Sequence, residues 1–236
     1  MKLIYPLTTL LLSLAACETI NKNETKINDE TKINSAIDTI IVSKKQTFHV
    51  QGKVIGDDQV QLSATDGDQP ALEDTISGPG LLPLEFPDFN ADGFLDILLK
   101  YADKSSTAYL YLFDPRSNTF KSIDGFVNYP NAVRLHTNPA YYYAYYSEGC
   151  SDLNWISDLF KIDSFKTIQI GHIYGKGCEY NVLENPQLIG IYKTTGDNGQ
   201  SEILVEKLPY LKFIPTNNEK RDFLEKYWNN NYYKFE

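Results

Sequence analysis

From Phe48 onward the chain is a succession of short runs in which apolar residues recur at every second position, each closed by glycine, proline, asparagine or aspartate. A side-chain period of two places alternate residues on opposite faces of a pleated strand, a pattern that neither a helical bundle nor an alternating strand–helix architecture produces. Phe48, Val50 and Gly52 open one run and Gln59 to Ala64 form another; Leu95 to Tyr101, Ala108 to Asp114 and Thr119 to Ile123 continue it. Tyr141 to Tyr146, Phe160 to Ile162, Thr167 to Ile173, Gln187 to Thr194 and Glu202 to Leu208 follow. Breakers separate them: Thr65-Asp66-Gly67-Asp68-Gln69-Pro70, Ser77-Gly78-Pro79-Gly80, Asp114-Pro115-Arg116-Ser117-Asn118, and the hairpin signal Gly196-Asp197-Asn198-Gly199. The 17 tyrosines, 12 phenylalanines and 2 tryptophans favour strands as well. Only the C-terminus has helical spacing, with Phe223, Leu224, Tyr227 and Trp228 on one side and Asn217 or Asn218 as its cap. The expected fold is all-β and antiparallel, a small propeller-like or sandwich-like domain over residues 47–236 with a short C-terminal helix.

The first 16 residues are of another kind. Lys2 precedes a short apolar segment, Leu3 to Ala16, which is too short to span a bilayer and reads as an export signal. Its ending, Leu14-Ala15-Ala16-Cys17, resembles the lipobox of bacterial lipoproteins. That resemblance implies cleavage before Cys17, lipidation of Cys17, and anchorage to the membrane through buried methylene groups. Glu18 stands where the inner-membrane retention signal has aspartate, so the resemblance points to the outer membrane. Residues 17–46 are then a lipidated, lysine- and asparagine-rich tether in which Thr25-Lys26-Ile27-Asn28 recurs as Thr31-Lys32-Ile33-Asn34. Ile33, Ile37, Ile40 and Ile41 have the spacing of one short helix at its end. With Cys17 assigned to lipid, Cys150 and Cys178 remain. Parity and export favour a disulfide over two free thiols, and no local motif marks either as a nucleophile.

The most chemically specific segment is Asp88-Phe89-Asn90-Ala91-Asp92-Gly93-Phe94-Leu95-Asp96. A tight loop can turn Asp88, Asn90 and Asp92 toward one hard cation, add the Phe94 carbonyl and close the shell with Asp96, while Gly93 permits the sharp turn. Such a flexible all-oxygen shell suits calcium better than magnesium. The bidentate glutamate that an EF-hand needs is replaced by Leu99, and the flanks (Leu84 and Phe86; Leu95, Ile97 and Leu99) alternate as strands. The segment resembles the calcium loops of integrin-type propeller repeats. Together with Tyr109-Leu110-Tyr111-Leu112-Phe113-Asp114-Pro115 and Phe120, it also resembles a family of exported bacterial propeller-like proteins, one branch of which inhibits peptidoglycan-cleaving enzymes. What this resemblance implies is a calcium-stabilised domain; no inhibitor contact residue is carried over with it.

Tyr141, Tyr143 and Tyr145 should share one face of a strand and Tyr142 and Tyr146 the other. One set could form a platform for a partner or sugar, with Trp155 as a further anchor, although cross-strand packing in a tyrosine-rich sheet is the preferred account. His49, His136 and His172 lack zinc-ligand spacing, and Asp66 and Asp68 are explained by turn chemistry. No nucleophile elbow, phosphate loop or dinucleotide motif occurs. A net charge of −9 argues against nucleic acid as a partner. It suits a basic envelope protein instead, so the expectation is a non-enzymatic cell-envelope binding module, with inhibition of a cell-wall hydrolase as one role. A glycoside hydrolase or carbohydrate-binding protein using dispersed carboxylates and exposed tyrosines is the alternative.

Overall fold

The computed structural model describes residues 36–57, 59–78, 84–100, 107–178, 187–195 and 201–236. The export signal, Cys17, the tether repeat and the turn at residues 196–199 lie outside the described residues. Strands follow one another as antiparallel neighbours in three sheets, so the all-antiparallel fold with a C-terminal helical segment is as expected. The first sheet holds β1 (Ala36–Ser43), β2 (Gln46–Gly56), β3 (Gln59–Asp66) and β4 (Gln69–Ser77) in that order. The second holds β5 (Ile97–Lys100), β6 (Ala108–Asp114) and β7 (Thr119–Ser122). The third runs from β8 (Val133–Arg134) through β9 (Tyr141–Ser147), β10 (Asn154–Asp163), β11 (Lys166–Lys176) and β12 (Leu188–Thr195) to β13 (Ser201–Pro209). The short helix α1 (Tyr210–Phe213) and the longer α2 (Lys220–Asn231) complete the chain, and among the described residues no helix is long and apolar enough to cross a membrane.

Three cores link these elements as successive layers. Phe48, Val50, Val60 and Leu62 of the first sheet pack against Ile97, Leu99, Tyr111 and Phe113 of the second. The other face of that second sheet, Leu98, Leu110 and Leu112, packs against Tyr142, Ala144 and Phe160 of the third. The far face of the third sheet, including Leu159, Ile173, Ile189 and Ile191, is covered by Leu224, Tyr227, Trp228 and Phe235. The middle sheet therefore has both faces buried, which explains the nearly unbroken apolar runs Ile97-Leu98-Leu99 and Tyr109-Leu110-Tyr111-Leu112-Phe113.

Three local expectations need correction. Residues 36–43 form a strand, not the end of a helix: Ile37 and Ile41 face the core, while Ile40 and Val42 are exposed. The β-branched run Ile37 to Val42 favours a pleated conformation, and pairing of Ile41 with Phe48 across the Lys44–Lys45 turn supplies the ladder. The stretch after the acidic turn at Gly67 is the full strand β4, because Pro70 sits at its start, beside a bulge. The cap of the C-terminal helical segment is Thr216, whose N–H donates to Glu219 Oε2 at 2.9 Å in a capping box, in place of Asn217 or Asn218.

Candidate functional site: an acidic loop and a tyrosine cleft

The acidic loop leaves the first layer and enters the middle sheet. Its ends are tied by reciprocal bonds between Glu85 and Leu98, with N–H to oxygen distances of 3.0 and 2.9 Å, and by Asp96 N–H to the Pro87 carbonyl at 2.8 Å. Ala91 and Gly93 are left-handed at φ 59° and 84°. Asp88 Oδ2 accepts the Gly93 N–H at 3.0 Å, Asp92 Oδ1 accepts the Phe94 N–H at 2.8 Å, and Asn90 Nδ2 donates to Asp92 Oδ2 at 2.9 Å. Asp96 is fully buried and accepts N–H groups from Phe89 at 2.8 Å and Phe113 at 2.9 Å. Burial pushes its carboxyl up to about 7, against the pull of those two bonds and with Asp92 and Asp88 adding repulsion. The β1–β2 turn buttresses the loop: Ser43 Oγ accepts the Leu95 N–H at 2.8 Å, and Lys44 Nζ donates to the Asp92 carbonyl at 3.1 Å.

Asp88, Asn90, Asp92 and Asp96 lie along this one loop, and their side chains offer oxygen atoms, the donor type that hard cations take. Among the described residues no group of three His, Cys, Asp or Glu side chains converges as a ready-made metal cage. In this arrangement the side-chain oxygens accept backbone N–H groups.

The tyrosine run is divided as its alternation predicts, and both sides are covered. Tyr142 is buried toward the middle sheet, stacked 4.9 Å from Phe89. Tyr141, Tyr143 and Tyr145 are half-buried against the C-terminal helical layer. Trp155 is no exposed anchor: it is fully buried, because its face of β10 meets the same layer, and its Nε1 donates to Tyr210 Oη at 3.1 Å. Tyr143 and Tyr145 nevertheless line a cleft of about 400 Å³ whose other walls are Asn131, Val133, and Arg221, Leu224 and Glu225 of α2.

Beside this cleft lies a feature that no sequence pattern announced. Gly149, Cys150, Ser151 and Asp152 are all left-handed, at φ 93°, 54°, 52° and 67°. A left-handed conformation costs a non-glycine residue about 1–2 kcal/mol, so the turn must be held by its surroundings. Cys150 is bonded to Cys178, with Cα atoms 6.1 Å apart. Asp152 accepts hydrogen bonds from Tyr145 Oη and from Lys220 Nζ. Burial alone would raise the Asp152 carboxyl, but the bonds from Lys220 and Tyr145 hold it below its usual value.

A second unannounced network lies on the opposite face of the third sheet. Asp158 Oδ1 meets His172 Nδ1 at 2.7 Å and Gln169 Nε2 at 2.8 Å, and Tyr146 Oη donates to its other oxygen. Burial pulls the His172 imidazole down, but the Asp158 hydrogen bond and charge outweigh it and leave it above its ordinary value. His49 pairs with Asp38 on the exposed face of the first sheet, and His136 lies 4.0 Å from Glu225.

No family model matches the sequence, and no curated protein matches it. Among solved structures, a Xanthomonas protein described as related to a type IV secretion system superposes with a TM-score of 0.48 at 13% identity, over 72% of this chain and 93% of that one.

Proposed function

We propose that this chain is a calcium-stabilised, non-catalytic binding module of the bacterial cell envelope, lipid-anchored at Cys17 in the outer membrane, with a basic cell-wall hydrolase as its partner. The supporting observation is the acidic loop, in which the Asp96 carboxyl is fully buried with Asp88 and Asp92 close enough to add repulsion. Binding a cation would require Asn90 and Asp92 to exchange their mutual hydrogen bond for coordination. It would convert the loop's repulsion into a tie between the first layer and the middle sheet. The net charge of −9 supports a basic partner, since opposite charge accelerates encounter and fixes orientation. Capture from envelope extract, joined to a muropeptide-release assay, tests the reading. The expected result is a retained hydrolase whose release of muropeptides falls in the presence of the chain. Turnover of cell-wall glycan by the purified chain itself, abolished by replacing two facing carboxylates, would overturn it in favour of a glycosidase.

A further inference from the structure

The cleft floored by Tyr143 and Tyr145 has a composition that the calcium loop and a protein partner leave unused. Its volume, about 400 Å³, falls in the range of small-ligand sites, which combine an apolar body with a few fixed polar groups. The two tyrosines come from one face of β9, two residues apart, and supply rigid aromatic surface with polar edges. Arg221, exposed on α2, has no hydrogen bond or ion pair to another described residue. Its neighbour one turn on, Glu225, approaches His136 instead, at 4.0 Å. A guanidinium without a partner among the described residues, in a chain of net charge −9, is a planar fork of donors suited to a carboxylate. Asn131 adds an amide donor and acceptor, and Glu225 further acceptor capacity, on the remaining walls.

The floor is also preorganised. Tyr145 Oη is tied to Asp152, Asp152 to the buried Lys220, and the left-handed turn carrying Asp152 to the disulfide. Strained backbone persists only where surroundings over-determine it, and here the disulfide and the Asp152–Lys220 pair hold the turn that anchors Tyr145 on the cleft floor. A peptide is a poorer match. The neighbouring edge strand β8 has only two residues, too few for strand addition, and the cleft presents side chains rather than a backbone ladder. Hydroxyls, an apolar ring face and a single carboxylate are, by contrast, the complement of acceptors, tyrosines and one arginine.

We propose that this cleft binds a saccharide ring bearing a carboxylate, with the ring on Tyr143 and Tyr145 and the carboxylate on Arg221. Such a site would place the module on an acidic glycan, independently of whether calcium or a hydrolase is bound. The test titrates the purified full chain with two amino sugars that differ by one lactyl carboxylate, N-acetylmuramic acid and N-acetylglucosamine, followed by ligand-observed NMR. The acidic sugar should bind about tenfold more tightly. Arg221→Ala should reduce its affinity to that of the neutral sugar and leave the neutral sugar unaffected, with an unchanged melting temperature because Arg221 is exposed. Tyr143→Phe, which keeps the ring and the packing, should retain both sugars, whereas Tyr143→Ala should weaken both about fivefold or more. Equal affinity for the two sugars, or no binding of either up to about 10 mM, would overturn the proposal. Full displacement by an equal concentration of acetate would do so as well, by reducing the cleft to an anion patch. Failure of the envelope capture or of calcium binding would leave these readouts unchanged, so the two readings fail separately.

Discussion

Lys220 is the residue at which charge, burial and backbone geometry meet. Its side chain is 3% exposed, whereas its partner Asp152 is 42% exposed, so most of the desolvation falls on the ammonium. Removing Asp152 leaves that ammonium buried without a counter-charge and releases the left-handed turn. Asp152→Ala should therefore lower unfolding free energy by about 3 kcal/mol, the low end for a broken buried pair because the carboxylate is partly solvated. Lys220→Met should cost less, since an apolar side chain of similar length fills the same space; urea titration of both variants would check the order. His172 gives a pH signature. Its pKa in the folded chain lies above the unfolded value of about 6.5, so the stability it contributes is complete below that pH and is lost as pH rises through the folded pKa. The nearby carboxylates of Glu148 and Glu202 act in the same direction as Asp158. The stability advantage of wild type over His172→Gln should be largest below about pH 6.5 and shrink as pH rises above it, measured as the difference between their denaturation midpoints.

At the scale of the element, β11 carries glycines where bulky groups press on it. A Cβ at Gly175 would lie 2.0 Å from the Trp155 ring, and one at Gly171 2.7 Å from Phe235. Trp155 and Phe235 are themselves buried among the residues that join the third sheet to the helical layer, so neither ring can yield cheaply. Gly175→Ala should destabilise by about 3 kcal/mol through overpacking, while Gly56→Ala, where a Cβ meets nothing within 4 Å, should change stability by less than about 0.5 kcal/mol. Chemical denaturation curves of the pair would check it, and near-ultraviolet circular dichroism should show the Trp155 environment altered only in the first. The same layering explains how the β9 tyrosines are arranged: Tyr142 is buried against the middle sheet, while Tyr141, Tyr143 and Tyr145 pack, half-buried, on the helical side.

For the molecule as a whole, the acidic loop lies where two sheets are joined, with Phe94 packed against the core between the first and middle sheets and Phe89 against the core between the middle and third sheets. A cation bound there acts on the junction of layers rather than on a peripheral turn. Calcium should raise the melting temperature of chelator-stripped protein, with a gain of about 2.7 kcal/mol when free calcium is 100 times Kd. Asp92→Asn should reduce that gain while leaving stability in chelator nearly unchanged, as calorimetry joined to thermal melts would reveal. No calcium-dependent shift in the wild type would remove the metal from the account. Reduction of Cys150–Cys178 should act separately. It would cost roughly 3 to 4 kcal/mol in the chain-entropy model and loosen the Asp152 turn without altering calcium affinity.

The strand class and most strand positions were legible in the chain because each is encoded locally, and the pairing of Cys150 with Cys178 was legible from the parity of the cysteines. Side-chain period and turn residues act within about ten residues, and residues 88–96 form a turn whose ends are tied by backbone bonds between Glu85 and Leu98. The strand at Ile37 to Val42 was misread because β-branched residues at helical spacing carry two periods at once, and only pairing with β2 decides between them. Nothing local distinguishes Trp155 as buried, since its environment is set by helix residues such as Phe223 and Tyr210, far along the chain. The cleft was half legible: its tyrosines stood out, but Arg221 and the Asp152–Lys220 clamp acquire meaning only when α2 docks on the third sheet. The layer order, and with it which faces are covered, was decided by long-range packing, because burial depends on what the rest of the chain places against a surface.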